Sequence, residues 1–190
     1  MDTKKTTWLL LILVFILSFI FDSAIVSLMN AISNRYIDYM MKWFSHLGSV
    51  FAILFITSLF LWEEKKREWI PILVLSFVSS LALSYVFKFI FLRPRPLNLE
   101  KFLLGIPDYS FPSTHAAISF ACVPVLDREF PVLKWFWIGF ALLVSISRVY
   151  LVLHHLSDVV AGIILGYFSG YLLVKIEEKH GIFKRIKHKA

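Results

Sequence analysis

Three short polar clusters in this chain contain the residue types that bind and transfer a phosphate group: cations, histidines, hydroxyls and a carboxylate. They are Lys88 with Arg95, the run Pro112-Ser113-Thr114-His115, and Arg148 with His154 and Asp158. Each cluster lies at the end of an apolar stretch. Ionisable side chains at membrane depth are costly and usually functional. Together the clusters predict a site for phosphoryl transfer.

The third cluster provides a nucleophile and a carboxylate to orient it. His154 and Asp158 are four residues apart, so on a helix they lie on one face within side-chain reach. A carboxylate on one ring nitrogen fixes the tautomer and raises the nucleophilicity of the other nitrogen. His155 is three residues from Asp158 and competes for the same role on geometry alone. Arg148, just upstream, offers a planar fork suited to phosphate oxygens.

The second cluster predicts an anion site at the start of a helix. Pro112 marks this start, with Ser113 and Thr114 in the first turn. Exposed amide groups and the positive end of the helix dipole favour an anion at such a place. His115 beside it is placed to donate or accept a proton.

Three cations, Lys88, Arg95 and Arg148, complete the predicted site. With the helix N-terminus they can neutralise the charge that spreads over a phosphoryl transition state. Taken singly, Lys88 and Arg95 are equally consistent with side chains that extend from the membrane to the interface. Arg93 is interpreted as such an interfacial residue, and His46 as a packing residue.

The composition of the chain is that of a membrane protein. Hydrophobic residues make up 58% of the 190 residues and charged residues 17%, against about a quarter charged in soluble domains. The net charge is +7, and the cations that produce it lie mainly between apolar runs and in the tail from Lys175. This placement indicates topology signals and contact with membrane lipids rather than nucleic acid. The single cysteine, Cys122, excludes an intrachain disulfide and a cysteine-based metal cluster.

Six apolar segments predict an all-α integral membrane bundle of six transmembrane helices. Most of them approach the ~20 residues that cross the hydrocarbon core, where backbone groups must be satisfied within the segment. The predicted segments are 8–29, 43–62, 69–92, 113–126, 132–153 and 156–176. Asp22 is the one ionisable residue inside the first of them. We expect one domain over residues 1–190, with the chemistry confined to 88–158.

Loop charge predicts the orientation of this bundle. Residues 1–7, 63–68, 127–134 and the C-terminal tail would share one side of the membrane, and they are rich in Lys and Arg. The positive-inside rule therefore places both termini in the cytoplasm. All three polar clusters then converge at the outer face. Residue type identifies the clusters and loop charge identifies the orientation, so their agreement supports a joint site.

The clusters as a set resemble the tripartite signature of the type 2 phosphatidic acid phosphatase (PAP2) superfamily. The matching patterns are Lys88-x6-Arg95-Pro96, Pro112-Ser113-Thr114-His115 and Ser147-Arg148-x5-His154-x3-Asp158. They occur in the family's order, and the complete set is highly specific. Thr114 stands where the family's commonest second motif has glycine.

The resemblance implies a membrane lipid phosphatase that works through a phosphohistidine, without a metal or another cofactor. His154 rather than His155 would be the nucleophile, and Asp158 would orient it. His115 would protonate the leaving oxygen and then activate water. The phosphate-binding residues would be Lys88, Arg95, Arg148, Ser113 and Thr114.

The expected substrate is a lipid phosphate or diphosphate that enters from the bilayer. The family's substrates include phosphatidylglycerophosphate, phosphatidic acid, undecaprenyl diphosphate and lipid A 1-phosphate, and the sequence does not choose among them. We expect a bacterial inner-membrane location, a site facing the periplasm or exterior, and no obligate protein partner. Two alternatives stay open. A lipid-to-lipid phosphotransferase shares the first half-reaction, whereas a non-enzymatic lipid transporter would be expected to show polar groups near the midplane.

Overall fold

In the computed structural model the chain is a bundle of helices, described for residues 3–64, 66–97, 102–103, 106–107 and 109–183. The helices are α1 (Thr3–Ile32), α2 (Arg35–Ser45), α3 (Leu47–Glu63), α4 (Ile70–Phe91), α5 (Thr114–Ala121), α6 (Val123–Glu129), α7 (Leu133–Tyr150) and α8 (Leu156–His180). A 3-10 turn (Arg67–Trp69) precedes α4, and β1 (Phe102–Leu103) pairs antiparallel with β2 (Ile106–Pro107). The all-α prediction is confirmed apart from this two-stranded ribbon.

Three helical segments of the described chain are long and apolar enough to cross a membrane: Leu9–Ile32, Arg67–Phe91 and Leu156–His180. Large apolar side chains cover the outside of the first, where Leu9 is 66% exposed and Ile20 is 67% exposed. An apolar surface of this extent marks contact with a membrane rather than with water. Six spans and cytoplasmic termini stay predictions, and the tail cations after residue 183 lie outside the described residues.

The predicted second span, 43–62, contains parts of two helices. Helix α2 ends at Ser45, and His46 adopts an extended backbone with φ −76° and ψ 129° before α3 begins. Asn34 caps the start of α2, where its side-chain oxygen accepts a hydrogen bond from the Tyr36 amide at 2.9 Å. The apolar sequence runs on across His46, which explains why the pattern concealed this break.

The predicted fourth span, 113–126, is also two helices, α5 and α6. They are separated at Cys122, and α6 carries Pro124 in its first turn. Proline has no amide hydrogen, and its ring clashes with the carbonyl group four residues earlier, so it ends the preceding helix. Helix α6 begins with a hydrogen bond that the Leu126 amide donates to the Cys122 carbonyl at 3.2 Å.

Helices α5 and α8 pack backbone to backbone in the centre of the bundle. Gly162, Gly166 and Gly170 recur at four-residue spacing along α8. A Cβ atom added at Gly162 would lie 2.5 Å from the carbonyl oxygen of Ser113, and one added at Gly166 would lie still closer to that of Ala117. Small residues allow helices to approach this closely in membranes. The contact holds the second polar cluster, at the start of α5, against the third cluster, at the start of α8.

Candidate active site

The three polar clusters meet at one end of the bundle because each lies at the end of its helix. Lys88 is in the last turn of α4, Ser113 is the N-cap of α5, and Arg148 is in the last turn of α7. His115 follows in α5, and its imidazole lies within electrostatic range of His154 and of all three predicted phosphate-binding cations. The same three cations act on His154. One site therefore brings together the residues of all three clusters.

His154 lies just before helix α8 and not on it. His155 is the N-cap residue, with an extended backbone at ψ 160°, so the helical argument that paired His154 with Asp158 is wrong. The two side chains approach each other nevertheless, with Nδ1 of His154 3.6 Å from Oδ2 of Asp158. The Arg148 carbonyl accepts a hydrogen bond from the His154 amide at 3.2 Å. This turn also holds Val152 at φ 52°, a left-handed conformation that is rare for a β-branched residue.

The tautomer of His154 follows from its neighbours. Nη1 of Arg95 lies 3.2 Å from Nε2 of His154. A guanidinium group only donates hydrogen bonds, so Nε2 is the acceptor and the ring proton is on Nδ1, facing Asp158. Burial lowers the pKa of the His154 imidazole well below its usual value, so the ring is neutral at physiological pH. The lone pair that a nucleophile needs therefore faces Arg95.

Asp158 is fully buried and accepts hydrogen bonds from several groups. Its Oδ2 accepts from the backbone amide of His155 at 2.8 Å and lies 3.2 Å from Nδ1 of that residue. The carboxylate is thus nearer to His155 than to His154. The contact with Arg95 and the deeper burial distinguish His154, whose side chain is 1% exposed against 19% for His155.

Arg93 and Asp22 belong to the same network, which sequence reasoning missed. Nη1 of Arg93 lies 2.7 Å from Oδ1 of Asp158, and Nη2 lies 2.7 Å from Oδ2 of Asp22. The interpretation of Arg93 as a merely interfacial residue is therefore wrong. A carboxylate inside a spanning segment needs a charged partner. Asp22, as an ionisable residue in an apolar segment, was therefore the feature of the sequence that could have revealed this pair.

Two of the predicted phosphate-binding cations donate hydrogen bonds to oxygen atoms of neighbouring segments. Lys88, which is 3% exposed, donates to the carbonyl oxygen of Tyr109. Arg148, which is 7% exposed, donates to the hydroxyl of Ser45 at the end of α2 and, at 3.3 Å, to its carbonyl oxygen. Sequence reasoning did not find Ser45, because nothing in the pattern places α2 beside α7.

The hydroxyl groups of Ser113 and Thr114 are buried and have no hydrogen-bond partner within the described part of the chain. Ser113 is the N-cap of α5 rather than part of its first turn, and its side chain makes no capping bond. Its amide donates to the Asp158 carbonyl at 2.9 Å. Buried polar groups are almost always satisfied. These hydroxyls therefore suit a ligand with several acceptor oxygens, such as a phosphate.

The family model of the PAP2 superfamily matches residues 69–182 of this chain. The chain belongs to the PAP2 superfamily. It is 34% identical to an undecaprenyl-diphosphatase of Sulfolobus acidocaldarius over 97% of both chains. It is also 31% identical to a lipid A 4'-phosphatase of Bacteroides thetaiotaomicron, over 83% of this chain and 77% of that protein.

Two solved structures share the fold. A transmembrane PAP2-type phosphatidylglycerolphosphate phosphatase from Bacillus subtilis superposes with a TM-score of 0.71 and 23% identity, over 95% of this chain and 98% of the other. LpxE of Aquifex aeolicus superposes with a TM-score of 0.67 and 28% identity, over 81% and 94%. The family, the two relatives and the three apolar helices identify this PAP2 chain as an integral membrane protein and a phosphate ester hydrolase.

Proposed function

We propose that this PAP2 protein removes a phosphate group from a lipid phosphate or diphosphate through a phosphohistidine on His154. The observation that carries the proposal is the position of Arg95, 3.2 Å from Nε2 of a buried, neutral His154. A phosphate group bound by Arg95 would have its phosphorus in front of the Nε2 lone pair. Asp158, on the other side of the ring, would stabilise the positive charge that the imidazole gains.

The proposed reaction has two steps that use the same two histidines. In the first, Nε2 of His154 forms a bond to phosphorus while the bond from phosphorus to the leaving oxygen breaks, and His115 gives that oxygen a proton. In the second, His115 takes a proton from a water molecule. The resulting hydroxide attacks phosphorus, releases inorganic phosphate and restores His154.

In the proposed reaction, cationic side chains supply the positive charge that stabilises the phosphoryl group. Lys88, Arg95 and Arg148 would bind the phosphoryl oxygens, with the hydroxyls of Ser113 and Thr114 as further donors. Such preorganised donors account for most of the catalysis in phosphoryl transfer. The described residues contain no group of three or more His, Cys, Asp or Glu side chains placed to hold a metal ion. We propose a metal-free reaction on the basis of the cationic donor set.

Loop charge supports a site at the outer face of the cytoplasmic membrane, with both termini in the cytoplasm. The charged residues 66–68 and 127–134 lie at the opposite end of the bundle from His154 along the chain's helices. Positively charged loops mark the cytoplasmic side. A site at the outer interface suits a substrate whose tail stays in the bilayer.

We place a polyprenyl diphosphate first among the substrates. The support is the similarity, over 97% of both chains, to a protein named as an undecaprenyl-diphosphatase. A lipid A phosphate ranks second, because a shorter match joins this chain to a lipid A 4'-phosphatase. Phosphatidylglycerophosphate and phosphatidic acid complete the set of substrates to compare.

The test measures phosphate release by the purified protein in detergent and EDTA from each of these four lipids. His154→Ala is the loss variant and His46→Ala the matched histidine control. We expect release from at least one lipid, fastest from the polyprenyl diphosphate, in wild type and His46→Ala only. Release that needs a divalent metal would contradict the metal-free reaction. Substrate loss with a phosphorylated lipid product, and no free phosphate, would instead identify a phosphotransferase.

A further inference from the structure

Helix α1 contributes a buried carboxylate to the site although it lies outside residues 69–182, which match the family. Asp22 is 5% exposed, and a carboxylate buried in a spanning helix is costly unless it is paired. Its Oδ2 lies 2.7 Å from Nη2 of Arg93 and accepts a hydrogen bond from the Ser157 hydroxyl at 2.5 Å. Phe19, one turn earlier, lies below the Arg93 guanidinium, 5.4 Å from the ring centroid. Two residues of α1 therefore hold Arg93.

Asp22 also caps the start of α8. The first amides of a helix have no partner within the helix. Oδ1 of Asp22 accepts a hydrogen bond from the Ser157 amide at 2.9 Å, and the His155 side chain accepts one from the amide of Asp158. Two neighbouring amides are thus satisfied, one by the N-cap residue His155 and one by Asp22 of α1. Asp22 thereby fixes the turn that carries Asp158.

Arg93 connects the two carboxylates and divides its charge between them. Its Nη1 is 2.7 Å from Asp158 and its Nη2 is 2.7 Å from Asp22. If Asp22 lost its charge, Arg93 would pair with Asp158 alone and would neutralise more of that carboxylate. A weaker negative charge on Asp158 would give less support to the positive charge that forms on His154.

We infer that Asp22 is a positioning residue for phosphoryl transfer, which acts on His154 through Arg93, Ser157 and Asp158. The inference rests on the proposed role of His154 as the nucleophile. Within the described part of the chain, the charged and polar partners of Asp22 are Arg93 and Ser157, not Arg95, so we place Asp22 outside the groups that bind the substrate. Its loss should therefore lower kcat and leave KM nearly unchanged, which is the pattern of a lost transition-state interaction.

The test substitution is Asp22→Asn, which keeps the shape of the side chain and removes its charge. The rate of phosphoenzyme formation is measured in a single turnover with radiolabelled lipid phosphate, and is normalised to the sites that react. We expect this rate and kcat to fall about tenfold, the usual effect of losing a hydrogen bond to a charged group. KM should stay within about twofold of wild type, as expected when binding is untouched.

Ser18→Ala is the matched control in the same helix. Ser18 is 3% exposed and lies one turn before Asp22, and its hydroxyl donates to the Phe15 carbonyl within α1 at 2.6 Å. This variant should keep the wild-type rate, even if its melting temperature falls. If Asp22→Asn forms the phosphoenzyme at the wild-type rate per reactive site, or if it raises KM as much as it lowers kcat, the inference is wrong.

The two proposals fail in different ways. Phosphate release by wild type without a phosphoenzyme on His154 would refute the proposed mechanism, whatever Asp22→Asn does. A normal phosphoenzyme in wild type, formed equally fast by Asp22→Asn, would refute the positioning role alone. If Asp22→Asn does not fold, Ser157→Ala provides the measurement. It removes a hydroxyl that accepts a hydrogen bond from Nη1 of Arg93 at 2.6 Å and donates one to Oδ2 of Asp22 at 2.5 Å, and it keeps the capped amide. We expect kcat to fall about tenfold, as for two hydrogen bonds, and an unchanged kcat would overturn the inference.

Discussion

The two ends of helix α8 both carry charged side chains, but their surroundings differ. At the end near His180, which we call the opposite end, Glu178 pairs with Arg128 and, at 2.7 Å, with Lys175. These side chains are partly exposed, from 25% for Glu178 to 52% for Lys175. Exposed pairs of this kind contribute little to stability, about 0–1 kcal/mol each. These exposed pairs at the opposite end therefore contribute little to the stability of the fold.

At the end near Leu156, which we call the site end, the charged groups are buried. Asp158 is fully buried and shares Arg93 with Asp22. The hydroxyls of Ser113 and Thr114 have no partner among the described residues. Burying such groups is costly, and a bound phosphate would offset the cost. At the opposite end Glu177 is also buried, at 3% exposed, but its carboxylate accepts a hydrogen bond from the Phe183 amide. The comparison teaches that buried donors without a partner among the described residues, rather than burial alone or the number of charges, distinguish the site.

The largest loss of activity should come from changing the proposed nucleophile, His154, at the site end. His154→Ala should lower kcat about 10⁴-fold or more, as expected when a nucleophile is removed. His155→Ala should keep kcat within about tenfold, because His155 supports Asp158 and does not attack phosphorus. Phosphate release measures both, and a larger loss in His155→Ala would mean that the two roles are exchanged.

The second largest effect should come from the proposed general acid. His115→Ala should lower kcat about 10²–10³-fold, in the usual range for general acid–base catalysis. His46→Ala, which changes a histidine at the end of α2, should keep nearly the full rate. The comparison uses the same lipid substrate for both variants, and the reverse ranking would contradict the assignment of His115.

A smaller loss of activity should come from changing Gly162, near the site end of α8, and none from changing Gly170, nearer the opposite end. A methyl group at Gly162 meets the Ser113 carbonyl, and one at Gly170 meets the Ala121 carbonyl. Both Gly162→Ala and Gly170→Ala should lower the free energy of unfolding by about 1–3 kcal/mol, the usual cost of overpacking. Only Gly162→Ala should also lower kcat/KM of the folded protein, by about tenfold, because Ser113 is displaced. Equal kcat/KM values in the two variants would place Ser113 outside the site.

The smallest effect should come from the opposite end. Arg128→Ala removes the ion pairs with Glu129 and Glu178, so it should change the melting temperature slightly and kcat less than about twofold. Thermal unfolding and phosphate release in the same detergent measure both. A loss of kcat as large as that of His115→Ala would show that the opposite end takes part in the reaction.

The convergence of the three polar clusters could be predicted because it depends on residue type and on which end of an apolar segment each residue occupies. Lys88, Ser113 and Arg148 each lie at a helix end, and such ends are visible as polar interruptions in an apolar sequence. The general position of α4 was visible for the same reason. Its Pro71 stands in the first turn, where proline is tolerated.

The contacts that cross between distant segments could not be predicted. The Asp22–Ser157 contact depends on α1 lying beside α8, and the Arg148–Ser45 contact depends on α2 lying beside α7. Hydropathy shows that a segment is apolar, but not which neighbour it meets. The break at His46 was hidden because the segment stays largely apolar on both sides of it, whereas Pro124 was a visible signal for the break at Cys122.

The most direct test of the account is to trap the phosphoenzyme. Wild type, His154→Ala and His155→Ala are mixed with radiolabelled lipid diphosphate in EDTA, quenched in alkali, and the labelled peptide is identified. The account predicts an acid-labile, alkali-stable phosphohistidine at position 154 in wild type and in His155→Ala, and none in His154→Ala. Label on His155, or label that persists in His154→Ala, would contradict it.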